Sequence, residues 1–449
     1  MMGFLVYFNV AQASEFLASP YNRRAELFAE RVIRGSIVDR NGNVLAETRM
    51  REDGSFYRAY PFGSTFAHVI GYNSRISGSA GLEAAENSSL LTSNAFFLDQ
   101  LMNELNGVRN QGDTLVTTLN ADLQVAAYNA LGGNRGAVMV MEASTGNILA
   151  MVSNPGFDPN QIDSVLEQLR VDEVNSPLLN RVTQGLYAPG STFKTVTTLA
   201  YMRQANVFDY SFDCVGSYQR DGALIPCFGG RAHGWQDMRT AFANSCNSAY
   251  AQLGSIIDPV LFRATAESLF FNHDLPAVMV YSTSSFTVDE NSIMSERMAT
   301  GIGQGNTMVS PYHMTLITAA IANGGVLMEP YLVYSVQNAS GNVVRRNLPN
   351  SYQTLMSAQE ASILKDYMEA VITEGTGMDL AWQNFTVAGK TGTAEFGAEG
   401  EGRIHSWFTG FTNVNNPELV ITVVIEGVSA GDGARAIPVV LQVLQAYYN

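Results

Sequence analysis

The spacing of apolar residues changes several times along the chain, and each change predicts a different element. Residues 122–131 carry apolar side chains at helical spacing, which predicts an amphipathic helix. Two short apolar runs follow at 137–142 and 148–152, joined by Ala-Ser-Thr-Gly-Asn, and they predict a β-hairpin that is buried on both faces. Near the C-terminus, β-branched and aromatic runs at 407–411 and 419–425 predict two adjacent strands.

The order of these elements indicates the fold class. A strand hairpin comes first, a largely helical middle section follows, and the terminal strands come after it. A last helix is predicted at 438–448, with Pro438 near its start. Strands, then helices, then strands is the order of an α+β domain, and the last helix is expected to close that domain over its sheet.

Composition divides the chain into parts. The region before residue 112 is rich in Gly, Ser, Arg and Tyr, with scattered strand signals at 35–47 and 69–72. A new apolar pattern starts directly after it. We therefore expect a smaller N-terminal domain at 31–112 and a larger domain at 113–449, preceded by a separate segment at 1–30.

Length, charge and histidine spacing bear on the class of protein. A chain of 449 residues can bury a sizeable core, and its net charge of −15 argues against nucleic acid as a partner. The five histidines show no metal-ligand spacing, and there is no glycine-rich phosphate loop. We therefore expect neither a metal nor a cofactor.

The three cysteines leave two interpretations open. Cys214 and Cys227 flank a turn-rich stretch that contains Asp221 and Gly222, so they can meet across a hairpin. In an extracytoplasmic protein the pair is expected either to form a disulfide or to remain as free thiols. Cys246 is interpreted as a small packing residue rather than a catalytic thiol.

Lysine is rare in this chain, and two of its three lysines stand in motifs that suit one chemistry. Arginine keeps its proton near neutral pH, whereas a buried lysine can lose its proton and act as a base beside a serine. Lys194 and Lys390 have such contexts. Lys365 has none and is predicted to be a solvated helix residue.

The first motif, Ser191-Thr192-Phe193-Lys194, follows a Pro-Gly turn and opens an apolar stretch with helical character. Ser191 is therefore expected at a helix N-terminus, with Lys194 on the same face. The last motif, Lys390-Thr391-Gly392-Thr393, is expected on a strand, where Gly392 lets a substrate backbone approach the sheet edge. Ser245-Cys246-Asn247 lies between them.

Ser-x-x-Lys, then Ser-x-Asn, then Lys-Thr-Gly is the ordered signature of penicillin-binding proteins and serine β-lactamases. The rest of the chain resembles class B penicillin-binding proteins, compact members of that class in particular. The stretches that carry this resemblance are 34–42, 60–72, 81–83, 136–160 and 303–311.

The resemblance implies a fold and an activity. The fold is a penicillin-binding transpeptidase domain, in which an antiparallel sheet is flanked by helices and joined by a helical subdomain. A smaller non-catalytic domain, for dimerisation or as a pedestal, precedes it. The activity is that of a serine-type peptidoglycan D,D-transpeptidase, which cross-links stem peptides through an acyl-enzyme and is acylated by β-lactam antibiotics.

The resemblance also implies the residues' roles. Ser191 is the nucleophile, Lys194 takes its proton, and Ser245 relays a proton to the leaving amine. Backbone N–H groups of Ser191 and Thr393 form the oxyanion hole. The remaining residues are expected to bind substrate: Asn247, Lys390, Thr391, Gly392 and Thr393.

The resemblance further implies a single membrane anchor, a catalytic domain on the extracytoplasmic face of a bacterial membrane, and a membrane glycosyltransferase partner. Residues 1–13 are apolar, but they have only about half the length that a spanning helix needs. They also lack the basic start of a signal peptide. We therefore expect the sequence to begin inside the anchor and to continue into a charged stalk at 15–31.

Two other functions fit the motifs. A serine β-lactamase hydrolyses its acyl-enzyme, and a penicillin-binding sensor or scaffold keeps the pocket but works through partners. The size of the chain and its N-terminal domain disfavour the first, and the intact motifs disfavour the second. Roles in division, elongation and sporulation remain equally open.

Overall fold

The computed structural model describes residues 32–95, 97–396, 403–429 and 435–449. The expected anchor and stalk at 1–30 lie outside these described residues. Within them, no helix is both long enough and apolar enough to cross a membrane.

The strands, in chain order, are β1 (Val32–Ile33), β2 (Ile37–Val38), β3 (Val44–Met50), β4 (Phe56–Ala59), β5 (Asn73–Ser74), β6 (Gly78–Ser79), β7 (Asn110–Gln111), β8 (Thr114–Thr117), β9 (Gly136–Glu142), β10 (Ile148–Asn154), β11 (Ser211–Cys214), β12 (Ser217–Arg220), β13 (Ala223–Pro226), β14 (Gly234–Asp237), β15 (Val326–Met328), β16 (Val333–Gln337), β17 (Val343–Arg346), β18 (Ser351–Thr354), β19 (Val387–Glu395), β20 (Arg403–Thr412) and β21 (Leu419–Ser429).

The α-helices are α1 (Ala67–Ile70), α2 (Gly81–Ala85), α3 (Asn87–Leu91), α4 (Phe97–Leu105), α5 (Ala121–Leu131), α6 (Ile162–Val171), α7 (Lys194–Gln204), α8 (Met238–Ala243), α9 (Asn247–Ile256), α10 (Pro259–Ser268), α11 (Met294–Gly301), α12 (Pro311–Ala322), α13 (Ala358–Thr373) and α14 (Ala436–Tyr448). Short 3-10 turns lie between them, and Gly190–Phe193 is the one that matters for the site.

Packing divides the chain into two compact units. The first contains the described residues up to Ala121 and two later segments, Gly156–Leu178 and Tyr331–Leu348. The second contains the rest. This division differs from the single boundary expected at 112/113, because β8 pairs in parallel with β2 and so belongs to the first unit.

The first unit is built on a six-stranded sheet of order β17-β16-β8-β2-β3-β4. Glu83 in α2 is fully buried and binds two arginines, with Nε of Arg34 at 2.6 Å and Nε of Arg58 at 2.7 Å. The position after Arg34 requires glycine, because a Cβ on Gly35 would lie 1.9 Å from the carbonyl oxygen of Asp113. Two of the stretches that carried the resemblance, at 34–42 and 81–83, are thus joined by one buried ionic cluster.

The strand signal at 69–72 is wrong. Residues Ala67–Ile70 form the short helix α1, and Gly71 ends it with φ of +77°. A short buried segment such as Val69-Ile70 suits either conformation, and the positive φ of Gly71 ends a helix here.

The second unit is built on a five-stranded antiparallel sheet of order β10-β9-β21-β20-β19. The predicted hairpin is β9 and β10, each buried at all but its last residue. The predicted terminal strands are β20 and β21, and helices α12 and α14 pack against them. The α+β expectation is confirmed, and β19 forms the edge of the sheet that carries the third motif.

Candidate active site

Ser191 lies in a tight turn that presents it to solvent. Gly190, with φ of +52°, begins the 3-10 turn Gly190–Phe193, and α7 starts at Lys194. Thr192 and Phe193 are fully buried, whereas Ser191 is partly exposed. Its Oγ has no hydrogen-bond partner within the described part of the chain. The backbone therefore leaves this hydroxyl available to a substrate.

The turn that bears Ser191 packs closely against β19 because the turn and the strand each have a glycine at the contact, Gly190 and Gly392. A Cβ on Gly190 would lie 2.4 Å from the carbonyl oxygen of Thr393, and one on Gly392 would lie 2.9 Å from Cγ2 of Thr192. Gly392 was expected to make room for a substrate backbone. The structure shows that it makes room for the chain's own serine-bearing turn.

Aromatic side chains hold the segment before the turn. Trp407 in β20 donates its Nε1 hydrogen to the carbonyl oxygen of Ala188 at 3.1 Å. The hydroxyl of Tyr187 donates to Glu426 at 2.6 Å, and Arg181 binds the same carboxylate oxygen at 2.8 Å. These contacts join the approach to Ser191 to the central sheet.

Lys194 is fully buried, and its side-chain nitrogen faces the second motif. Nζ donates to the carbonyl oxygen of Ser245 at 2.7 Å and to Oδ1 of Asn247 at 2.8 Å, and it lies 3.2 Å from Oγ of Ser245. It also lies 5.1 Å from the ring centre of Tyr250. Asn247 therefore orients the amine through its amide oxygen.

Lys390 approaches the same hydroxyl from β19. Its Nζ donates to Oγ of Ser245 at 2.9 Å and to the carbonyl oxygen of Thr391 at 3.1 Å. The hydroxyl of Ser245 is thus held between two lysine amines, one from a helix and one from a strand. The structure brings Lys194, Ser245, Asn247 and Lys390 into one cluster.

Burial lowers the pKa of both lysines. Removal from water brings the pKa of Lys194 to about 7, although negative charge on the nearby sulfurs of Cys246 and Cys227 acts to raise it. Burial, followed by the charge of Lys194, holds the pKa of Lys390 well below its ordinary value. Neither lysine forms an ion pair in the described residues. A neutral amine beside a serine hydroxyl is the state that general-base chemistry needs.

The second motif adopts an unusual backbone. Ser245 has φ of 53°, in the left-handed region that residues with a side chain seldom occupy. Its N–H donates to the carbonyl oxygen of Phe242 at 3.0 Å, and Cys246 caps α9 through its sulfur. This turn between α8 and α9 directs the side chain of Ser245 toward the lysines. Such strain is typical of functional sites.

The two threonines of the third motif differ. Thr393 is exposed, beside the turn that bears Ser191. The Thr391 side chain is mostly buried, and its hydroxyl shares a 2.6 Å hydrogen bond with the hydroxyl of Thr376. The sequence did not identify Thr376 as a site residue, because its only local signal is the turn indicated by the glycines on either side of it. It is held by a hydrogen bond from its N–H to the carbonyl oxygen of Ala243.

The three cysteines are all buried and free. Cys214 and Cys227 do meet across the small hairpins, with 3.6 Å between their sulfurs, so the structure contains no bond between them. Cys246 and His233 lie against the same pair. The spacing of the histidines along the sequence does not reveal this proximity, because the neighbours of His233 in space are cysteines rather than other histidines.

Comparison with known proteins places this geometry in a family. Residues 136–445 match the penicillin binding protein transpeptidase domain, and residues 34–115 match the penicillin binding protein A dimerisation domain. A curated relative, the peptidoglycan D,D-transpeptidase PbpA of Mycolicibacterium smegmatis, is 32% identical over 458 residues, covering 96% of this chain and 92% of its own length.

Solved structures agree. The crystal structure of PBPA from Mycobacterium tuberculosis has a TM-score of 0.85 at 29% identity, covering 93% of this chain and 99% of that one. The imipenem acyl-enzyme complex of penicillin-binding protein A from the same organism has a TM-score of 0.83 at 30% identity, with the same coverage. This chain therefore belongs to the penicillin-binding protein transpeptidase family, with the domain pair of its class B members.

Proposed function

We propose that this chain is a peptidoglycan D,D-transpeptidase that forms its acyl-enzyme on Ser191 and is acylated by β-lactams at the same residue. The observation that carries the proposal is the hydroxyl of Ser245 held between the buried amines of Lys194 and Lys390. Lys194 directly follows the turn that bears the partly exposed Ser191. The relatives that share the fold are named as D,D-transpeptidases or were solved as β-lactam acyl-enzymes.

The first half of the reaction is acylation. Oγ of Ser191 attacks the carbonyl carbon of the D-Ala-D-Ala bond, and neutral Lys194 accepts the hydroxyl proton. The amide bond breaks, and Ser245 passes a proton to the departing D-alanine amine. Backbone N–H groups of Ser191 and Thr393 stabilise the developing oxyanion. Lys194 is suited to this step because burial brings its pKa to about 7.

The second half is transfer to an acceptor. The amine of a neighbouring stem peptide attacks the ester carbonyl, a new peptide bond forms, and Ser191 regains its proton. Asn247 holds the substrate amide while it orients Lys194.

Lys390 and Thr393 bind the substrate's terminal carboxylate, whose charge would favour a protonated Lys390. Gly392 contributes by letting the turn of Ser191 lie against β19. Thr391 acts in this carboxylate site through its pair with Thr376.

Mapping a penicillin adduct tests the function directly. We expect a fluorescent penicillin to label the full-length chain covalently, and peptide mass spectrometry to place one adduct on Ser191. The label should persist far longer than a β-lactamase needs to hydrolyse its own acyl-enzyme, because a transpeptidase excludes water from its acyl-enzyme.

The Ser191→Ala variant is the control and should remain unlabelled. An adduct on another residue contradicts the assignment, and rapid release of hydrolysed penicillin favours the β-lactamase alternative. Labelling without turnover of a D-Ala-D-Ala substrate favours the sensor or scaffold.

We further propose that residues 1–30 contribute to a membrane anchor, that the enzyme acts on the extracytoplasmic face, and that it works beside a membrane glycosyltransferase. The apolar composition of residues 1–13 and a substrate that lies outside the membrane support this. In fractionated cells the full-length chain should sediment with membranes and resist a high-salt wash, whereas a variant without residues 1–13 should be released. Equal release of both would contradict the anchor.

A further inference from the structure

A cluster of thiols and an imidazole lies at the second motif, and none of its four side chains has a role in the mechanism described above. The four ligand atoms lie within 4.8 Å of one another. We call it the Cys3His cluster, and it consists of Cys214, Cys227, His233 and Cys246.

The spacing of the cluster fits a tetrahedral ion. Zn²⁺ binds sulfur at about 2.3 Å and imidazole nitrogen at about 2.0–2.1 Å, so a tetrahedron has edges of about 3.8 Å between sulfurs and about 3.6 Å between sulfur and nitrogen. The sulfur of Cys227 lies 3.6 Å from that of Cys214 and 3.7 Å from that of Cys246. Nδ1 of His233 lies 3.4 Å and 3.7 Å from the sulfurs of Cys214 and Cys227.

The surroundings of the sulfurs suit thiolates. The N–H of Ser248 points to the sulfur of Cys227 at 3.5 Å, and the N–H of Ala249 to that of Cys246 at 3.4 Å. Both donors belong to the first turn of α9, whose free N–H groups favour negative charge. All three cysteines are at most 2% exposed, so these sulfurs are shielded from solvent.

The part of the fold that supplies three of these ligands has little core of its own. Residues 211–237 form two separate two-stranded sheets, β11 with β14 and β12 with β13. Four of their large apolar side chains are exposed, namely Val215, Leu224, Phe228 and Trp235. Two-stranded hairpins are marginally stable alone, and small excursions of this kind are commonly held by a disulfide or a metal.

A disulfide accounts for less of the geometry. A bond between Cys214 and Cys227 requires sulfurs at about 2.05 Å, whereas they lie 3.6 Å apart. A disulfide would also give no reason for Cys246 and His233 to lie against Cys214 and Cys227.

We propose that the Cys3His cluster binds one structural Zn²⁺ ion. Binding replaces three thiol protons with the metal, and it ties the excursion at 211–237 to the start of α9. Cys246 stands between Ser245 and Asn247, so the same ion fixes the turn that presents both side chains to Lys194. The metal is thus placed to stabilise the active-site geometry without contacting the substrate.

Metal analysis of the full-length protein, purified in detergent without chelators, tests the site. We expect about one equivalent of zinc per chain, and replacement by Co²⁺ should produce the visible absorption of a tetrahedral cobalt thiolate centre. His233→Ala should lose most of the zinc. The matched variant His273→Ala changes an exposed histidine away from the cluster and should keep it.

Three results would overturn the proposal: wild-type protein without zinc that takes up no Co²⁺, a Cys214–Cys227 disulfide found by mass spectrometry, or full retention of zinc in His233→Ala. The cobalt spectrum of the wild-type protein does not depend on whether a variant folds.

The effect on catalysis rests on the proposed function and is measured separately. Removal of zinc should lower the rate of penicillin acylation severalfold, and re-addition should restore it. A cobalt thiolate spectrum in a protein that no penicillin labels would leave the metal site standing and contradict the transpeptidase.

Discussion

Lys194→Arg should reduce the rate of penicillin acylation by about a hundredfold to ten-thousandfold, the usual contribution of a general base. Arginine keeps the positive charge but cannot give up its proton near neutral pH. Lys194 can, because burial brings its pKa to about 7. Stopped-flow or gel-based labelling with a fluorescent penicillin measures the rate.

Two matched variants separate the base from the charge. Lys390→Arg should keep partial activity, because guanidinium can still pair with the substrate carboxylate. Lys365→Arg lies on α13, outside the site, and should leave the rate unchanged. Lys365 was expected to be solvated, but it is partly buried, with its Nζ 3.4 Å from the carbonyl oxygen of Ala322. Equal, mild losses at 194 and 390 would contradict the roles given to the two lysines.

The pH profile supplies a second readout of the same prediction. The amine accepts a proton only when it is neutral, so wild-type acylation should be highest above pH 7 and fall as pH drops through the pKa of Lys194, about 7. The residual rate of Lys194→Arg should lack that inflection. A profile that is unchanged in the variant would assign the titration to another group.

Glu83→Gln should destabilise the first unit by about 3–5 kcal/mol, the cost of breaking a buried ion pair from one side. Glu83 is fully buried, and its two oxygens bind Arg34 and Arg58. Burial acts to raise the pKa of Glu83, but the two arginines outweigh it and the pKa is lowered. A neutral amide would leave both guanidinium groups buried without their counter-charge.

Thermal and urea unfolding of the full-length chain measure the loss. Glu167→Gln is the matched control, because Glu167 pairs with Arg170 on an exposed face of the same unit and such pairs contribute about 0–1 kcal/mol. Equal shifts for the two variants would mean that the buried cluster contributes no more than a surface pair.

The sequence by itself determined the elements whose signals are local. The hairpin of β9 and β10, the strands β20 and β21 and the helix α5 follow from runs and spacings that a short window contains. The ordered motifs and the resemblance established the family before any contact was known. Where the window was very short, at 69–72, the same reasoning chose a strand, whereas residues Ala67–Ile70 form a helix that Gly71 ends.

Only the tertiary structure decided which distant side chains meet. Ser245 and Lys390 are 145 residues apart, and their hydrogen bond depends on how β19 lies against the turn before α9. The pairing of Thr391 with Thr376, the return of 331–348 to the first unit and the approach of His233 to the cysteines arise in the same way. Periodicity reports which face of an element is buried, whereas the partner on that face is set by packing across the whole domain.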